Sequence, residues 1–323
     1  MAYVIKYIGN CAAKGVDIRP LYRSDLEKGE KVILVCEKKT SHQYIDDSVK
    51  IINSPIDAAN TDAPLMMLCS DTDAMQLTVE CAYALYTGRC QVYIENDGLY
   101  TADPYGSRRA KRIDKIDYDE VVEVCTSEFN DVNSAMVETA KKRGIALHML
   151  SYRQPDSQGS VIKEVLSLGS SMIKGVIKEP EISIVSLVDI PDVPGIAYHI
   201  FQAVSDAGVV VDMISLPASD YGSQDISFTI NKRDKHTVNR ILSARQEEFG
   251  FSKLVVKDNV AKISVVGSGV QSGKGVAATV FRILYENNIS LRLISTSEIK
   301  ISVIVDKSSA DLAVHKIHEV FIK

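Results

Sequence analysis

Short apolar runs alternate with helically spaced segments along the first half of the chain. Ala2 to Ile8 (AYVIKYI), Lys31 to Cys36 (KVILVC), Leu65 to Cys69 (LMMLC) and Cys90 to Tyr93 (CQVY) read as strands. Leu21 to Lys28, Ala74 to Tyr86, and Ser41 to Asn53 through Tyr44, Val49 and Ile52, read as helices. The polar, proline-containing passage from Ser54 to Pro64 reads as a loop. Strand and helix in alternation predict a mainly parallel α/β sheet.

The second half carries a different pattern, and it occurs twice. Gly195 answers Gly275, Phe201 answers Phe281, and Ile214-Ser215 answers Ile294-Ser295, each pair 80 positions apart. Self-similarity at fixed spacing is a statement about fold. A short strand (Ile182 to Leu187, then Ile263 to Val266) leads into each copy. A glycine turn follows, then a helix with one apolar face: Ile196, Ala197, Ile200, Phe201 and Val204 in the first copy, and Val276, Ala277, Val280, Phe281 and Leu284 in the second. A β pattern resumes at Val209-Val210-Val211 and at Ile289-Ser290-Leu291. Such βαββ units predict ferredoxin-like α+β layers with helices on one face.

Candidate chemistry gathers at the turn before each helix. Unpaired N–H groups and the partial positive charge of a helix N-terminus suit a carboxylate. Gly195 and Gly275 let a ligand approach the main chain, and Asp192, Asp212 and Asp225 are available to an ammonium group. Together these charges fit a small amino acid. A plainer reading stays open, in which the glycine is a turn residue and the aspartate a helix cap.

With 323 residues and a net charge of -5, the chain is long enough for two or three domains. Its charge gives no encouragement to nucleic-acid or membrane-surface binding. No apolar run reaches spanning length and the N-terminus lacks signal-peptide architecture, so a cytoplasmic location is expected. Six cysteines, Cys11 to Cys125, lie in the first half without metal-ligand spacing and read as reduced, mostly buried thiols. His315 and His318 share a helix face without further ligands, and no metal site is expected.

Particular strings carry a family resemblance. DVPGIA, VDMI, DISF, GFSKL, VVGSGVQSGKGVAATVF, STSEIKISV and AVHKIHEVF, from about Glu181 to Lys323, resemble the tandem ACT regulatory region of aspartokinases in order and spacing. ENDGLYTADP, Glu95 to Pro104, resembles the nucleotide-side loop TDVDGVYTADP of amino-acid kinases, and the likeness continues through Ile113 to Glu120 and Ala140 to Ile145 to Gly159-Ser160-Val161-Ile162. The resemblance implies a shortened amino-acid-kinase-like domain with a mainly parallel sheet (1–165), followed by two ferredoxin-like α+β ACT domains (172–257 and 258–323), with one strand open to exchange between the ACT units. It also implies lysine and/or threonine as effector, held against Asp192, Pro194, Gly195, Ile196 and Ala197, with Asp212, Met213, Gln224 and Asp225 close by. The second copy offers Gly275, Val276, Ser297 and Glu298. In the first domain the implied nucleotide residues are Glu95, Asp97, Gly98, Tyr100, Asp103 and Pro104, with Lys6 as the remnant catalytic lysine and ATP with magnesium as cofactor if that site persists. Residue by residue, Lys6 also reads as a solvated strand-end lysine, Asp97-Gly98 and Asp103-Pro104 as turn pairs, and Arg108, Arg109, Lys111 and Arg112 as a solvated basic face.

The reactive positions depart from the family pattern. KYGGTS becomes Lys6-Tyr7-Ile8-Gly9-Asn10-Cys11, SAMG becomes Cys36-Glu37-Lys38-Lys39, GRGGSD becomes Ser70-Asp71-Thr72-Asp73-Ala74-Met75, and GAKV becomes Glu128-Phe129-Asn130-Asp131. Judged against a usual kinase domain, about a hundred residues are missing between Cys36 and Cys69. Phosphoryl transfer depends on positioning and on offsetting phosphate charge. A carboxylate about 4 Å from a phosphate costs on the order of several kcal/mol, unless magnesium bridges Asp71 and Asp73. The expectation is an amino-acid-sensing regulatory protein of the aspartate pathway that has lost phosphotransfer, pairs as a homodimer through its ACT domains, and takes an active aspartokinase paralogue as a further partner. Two other readings remain open: a working aspartate kinase making 4-phospho-L-aspartate on a rebuilt pocket, and a ligand-free ACT dimerisation scaffold. If lysine binds, Asp212→Ala is expected to weaken it more than Asp192→Ala.

Overall fold

The computed structural model describes every residue except 1, 10, 12–13, 40–47, 72, 126–128, 130–131, 166–172, 218–221, 274 and 323. Asn10, Thr72, Glu128, Asn130 and Asp131 of the departing motifs therefore lie outside the described residues. The chain forms two compact units, Met1–Gly175 with Val266–Ser268 and Ile322, and Val176–Val265 with Gly269–Phe321.

In the first unit the elements are β1 (Tyr3–Tyr7), α1 (Arg23–Glu27), β2 (Lys31–Glu37), β3 (Lys50–Ile52), β4 (Leu65–Ser70), α2 (Ala74–Ala84), β5 (Arg89–Ile94), β6 (Leu99–Tyr100), β7 (Arg112–Ile113), β8 (Lys115–Ile116), α3 (Tyr118–Val124), α4 (Ser134–Arg143), β9 (Ala146–Ser151) and β10 (Ser160–Ile162). Eight of the strands make one sheet in the order β3-β4-β2-β1-β5-β9-β10-β8. Every neighbouring pair is parallel except β9 with β10. Val32 to Cys36 is buried throughout, as a central strand of a parallel sheet must be, which explains its unbroken apolar run.

One expected element is different. The helix expected at 41–53 is replaced at its end by β3, whose Lys50, Ile51 and Ile52 pair with Met66, Met67 and Leu68; residues 41–47 lie outside the described part. Two consecutive β-branched residues beside an unpaired sheet edge gain more from the ladder than from a helical turn.

The β9–β10 connection has no room for a side chain. Gly159 has φ +65°, and a Cβ there would lie 2.1 Å from the Met149 carbonyl oxygen. Gly88 has a similar φ of +68° but open space around it. Gly159→Ala is therefore expected to lower stability by at least about 2 kcal/mol, and Gly88→Ala by only about 1 kcal/mol, since the second pays the backbone term alone. Urea unfolding midpoints compare the two directly.

The second unit comprises β11 (Gly175–Pro191), α5 (Ile196–Asp206), β12 (Val211–Ser215), β13 (Ser223–Asn231), α6 (Lys235–Ala244), α7 (Gln246–Phe249), β14 (Lys253–Val266), α8 (Gly269–Ser272), α9 (Val276–Glu286), β15 (Leu291–Thr296), β16 (Lys300–Asp306) and α10 (Ala310–Phe321). The six strands form a single sheet, β12-β13-β11-β14-β16-β15. Its two halves are the two sequence copies, meeting where β11 lies beside β14. The 80-residue offset holds: α5 and α9 have 11 residues each, and each is entered through a left-handed glycine, Gly195 at φ 96° and Gly275 at φ 89°. Val176-Ile177 belongs to β11, and β14 runs without a break through positions 257 and 258.

Residues on one face of β11 and β13, Val185, Leu187, Ile226, Phe228 and Ile230, pack with Ile196, Ile200 and Val204 of α5 and Val238 and Leu242 of α6. On the opposite face Ile182, Ile184, Met213, Val260, Leu293 and Ile304 form a separate buried cluster. The period-2 alternation of the strands thus sorts the residues onto two faces.

Candidate functional site

Lys6, on β1, is buried at 2% exposure, which corrects the expectation of a solvated strand-end lysine. Its Nζ lies 2.5 Å from the Asp25 carboxylate of α1 and donates to the Leu21 carbonyl oxygen at 2.5 Å. The ammonium also stands over the Tyr93 ring, 5.5 Å from its centre. Burial, which outweighs the contact with Asp25, holds Lys6 below the ordinary lysine range. All the charge on this side chain is answered from within the chain.

The same holds at the ends of β2 and β4. Asp71 accepts from Lys38 at 3.0 Å, both groups being exposed. Asp73 is the N-cap of α2: its Oδ1 accepts from the Gln76 N–H at 2.9 Å and its Oδ2 from Asn133 Nδ2 at 3.3 Å. A helix N-terminus that could receive an anion already holds a carboxylate.

ENDGLYTADP supplies β6, which pairs antiparallel with β7 beyond it, Leu99 opposite Ile113 and Tyr100 opposite Arg112. Gly98 has φ +133°, and a Cβ there would meet the Ser160 Oγ at 2.5 Å. That hydroxyl accepts from the Leu99 N–H at 2.7 Å, so the glycine is a packing requirement. Asp97 accepts from the Tyr100 hydroxyl and lies 3.6 Å from Arg112. Asp103 accepts from the Tyr105 N–H at 2.9 Å, a turn-forming contact. Glu95 is bound by Arg153 at 2.6 Å and Lys14 at 3.3 Å, and these two cations hold its carboxyl below the usual range. Glu95, Asp97, Tyr100 and Pro104 line an open cleft of about 260 Å³ with Tyr105 and Arg153. Gly98 and Asp103 are not among the residues that line it.

ATP with magnesium is the cofactor that the resemblance implies. The groups at the ends of β1, β2 and β4 are already engaged within the chain: Lys6 is in an ion pair with Asp25, the N-terminus of α2 is occupied by the carboxylate of Asp73, and Asp71 is paired with Lys38. Among the described residues no group of three or more His, Cys, Asp or Glu side chains could hold a metal ion.

In the second unit the N-termini of α5 and α9 lack any side-chain cap. Asp192 is therefore not a helix cap; its N–H donates to the Gly222 carbonyl oxygen at 3.0 Å and its Oδ1 accepts from Gln224 Nε2 at 3.2 Å. Asp225 accepts from the N–H of Asp189, which adopts φ 62°. Val193, Pro194 and Gly195 are exposed beside them, Ala197 is half-buried, and Ile196 is buried in the core under α5. Asp192, Pro194, Gly195 and Gln224 thus come together around one helix start, while Asp225 serves the backbone turn at Asp189. Gly275 and Val276 repeat that geometry. Ser297 N–H donates to the Lys300 carbonyl oxygen at 2.8 Å, and Glu298 is exposed.

Two expected residues have other roles. Met213 is 3% exposed and belongs to the buried cluster on the far face of the sheet. Asp212 is bound by Lys262 of β14 at 2.5 Å, and Lys262 also holds Glu179 of β11 at 2.8 Å. Burial alone would lower the Lys262 pKa, but the two carboxylates outweigh it and raise the pKa above the ordinary lysine value. Lys262 was legible as a lone charge in the apolar run VAKISVV; its partners, 50 positions away for Asp212, were not. Asp25 and Lys38 carried no local signal at all.

Residues 5–151 match the amino acid kinase family, and residues 182–246 and 263–321 match the ACT domain. An amino-acid-kinase domain followed by paired ACT domains is the class that fold and sequence together define. Within that class the chain belongs to the aspartokinase family. An aspartate kinase of Stutzerimonas stutzeri is 33% identical over 253 residues, 78% of this chain and 60% of that protein. The solved aspartate kinase of Clostridium acetobutylicum superposes with a TM-score of 0.72 at 18% identity, over 80% of this chain and 63% of that one. Escherichia coli aspartokinase III, solved in complex with lysine and aspartate, superposes with a TM-score of 0.65 at 18% identity, over 80% and 60% of the two chains. These two likenesses show the fold. The chain spans about 60% of the length of the curated relatives it matches. Among the described residues no helix is long and apolar enough to cross a membrane.

Proposed function

We propose that this chain is an amino-acid-sensing regulatory member of the aspartokinase family whose first domain does not transfer phosphoryl groups. The observation that carries this reading is the sealed Lys6–Asp25 pair, seconded by the carboxylate of Asp73 on the N-terminus of α2. The proposed effector is lysine or threonine, its α-carboxylate on the uncapped N-terminus of α5 and its ammonium near Asp192. Support comes from the free approach at Gly195 and from the lysine bound to the E. coli relative. The proposed assembly is a homodimer through the ACT sheet, supported by exposed Val210, Ile214 and Leu216 at edge strand β12 and Ile294 on edge strand β15. An active aspartokinase paralogue is a further proposed partner, and the cytoplasm the proposed location.

Titration calorimetry with lysine and with threonine tests the sensing. Heat from one of them at millimolar concentration or below supports it, and silence with both favours a ligand-free scaffold. The carboxylate geometry reverses the order expected from sequence. Asp192→Ala is expected to weaken effector binding about tenfold, the equivalent of about 1.4 kcal/mol. Asp212→Ala is expected to leave affinity within about threefold and to lower stability instead, because its carboxylate serves Lys262. One observation favours the active-kinase reading: the nucleotide-side loop keeps its turn glycine, its aspartates and an open cleft.

A further inference from the structure

Cys36 and Cys69 face each other across two strands. They are register partners on the parallel pair β2 and β4, so both side chains leave the same face of the sheet. Cys36 is part of the buried cluster with Leu34 and Met67, and Cys69 packs against it. Their Sγ atoms are 3.8 Å apart. Neighbouring strands lie about 4.8 Å apart, which falls within the roughly 4.4–6.8 Å Cα separation that a disulfide bridges. Side-chain rotation with a small approach of the two strands closes the bond. The two thiols differ in access, Cys36 being buried and Cys69 only partly so. Beyond them the strands end in the exposed Lys38–Asp71 ion pair, so the thiols sit where two loops leave the sheet.

We propose that Cys36 and Cys69 form a reversible redox pair, converted by a peroxide into an intrachain disulfide that ties β2 to β4. Cys69 is the reachable thiol. As its thiolate it attacks a peroxide oxygen; an S–O bond forms, the O–O bond breaks and hydroxide leaves, giving a sulfenic acid. Cys36 then attacks that sulfur; the S–S bond forms and the S–O bond breaks. The departing hydroxide takes the Cys36 proton as water. In sum, two thiols and one hydrogen peroxide give one disulfide and two waters, the first hydroxide taking up the proton that Cys69 released, with sulfur oxidised and peroxide oxygen reduced. A dithiol reductant reverses the change by thiol–disulfide exchange. Burial, together with the neighbouring Cys69, pushes the Cys36 thiol up, so it is not the thiol that meets the peroxide first; its proximity to Cys69 carries the second step. Cys81 and Cys90, both buried, are also pushed up by burial, to about 12. In intracellular surroundings a disulfide of this kind is a sensor rather than a staple.

The whole chain, reduced and then exposed to hydrogen peroxide, is alkylated in denaturant and digested without reductant. The expected product is a peptide pair joined through Cys36 and Cys69 within one chain, with two of the six cysteines protected from alkylation and all six reactive again after dithiol treatment. Cys69→Ser should abolish the protection, while Cys125→Ser should keep it. Six alkylated cysteines after oxidation, a bridge at other positions or between two chains, or Cys69 accumulating as sulfinic acid without a bridge would overturn the proposal. Should Cys69→Ser fail to fold, the linkage map of the unsubstituted protein decides alone.

Discussion

Replacing Asp25 with asparagine is expected to destabilise the protein by about 3–5 kcal/mol at neutral pH, the range for removing one partner of a buried ion pair. Lys6 is almost wholly buried and Asp25 is 17% exposed, so screening by solvent discounts little of this figure. Asparagine keeps the shape and a hydrogen-bond acceptor but leaves the ammonium without its counter-charge. The pH dependence gives a second handle. Burial depresses the folded pKa of Lys6 below its unfolded value of about 10.5, so between the two values the unfolded chain binds more protons and stability rises with pH. In the variant the depression deepens, and part of the loss should return as pH climbs toward 10. Urea unfolding at pH 7 and near pH 10 checks both statements. A loss below about 1 kcal/mol would mean that Lys6 reaches solvent and is free to meet a phosphate.

Phe228→Ala is the second large effect, expected at about 3–5 kcal/mol. Phe228 is fully buried, with its ring edge-on to Phe201 of α5 at 5.3 Å between centres. It fills the space between the sheet and the helix that presents Gly195. The cavity left behind would loosen the start of α5, so effector binding should weaken along with stability. Thermal unfolding reads the first consequence and calorimetry with the effector reads the second. Phe201→Ala should cost less, because that ring is only partly buried in the same cluster.

Sequence was most informative where local pattern and burial coincide. The 80-residue repeat, the apolar stripe of α5 and α9, and glycines at both helix starts were all legible, because each follows from side-chain period or from a backbone angle that glycine tolerates. The buried run of β2 was legible for the same reason. The short strand β3 was not, since its conformation is decided by pairing with β4 rather than by its own residues. The departures from the family's motifs, such as Ser70-Asp71 and Cys36-Glu37, could be read only through the resemblance. What these positions bind in the fold could not be read at all. Asp25 against Lys6, Lys38 against Asp71 and Lys262 between Glu179 and Asp212 join residues far apart in the chain, and surface and buried lysines look alike in a sequence. Asp212 accordingly read as a ligand for an incoming ammonium, when the chain supplies that ammonium itself.

A coupled assay for aspartyl phosphate, with ATP, magnesium and L-aspartate, bears most directly on the central claim that internal charge pairs have closed the phosphate end of the sheet. The account predicts no turnover above the enzyme-free blank, with or without lysine and threonine. Turnover in the range of about 1–100 per second, usual for kinases, would contradict it and make this chain a working aspartate kinase.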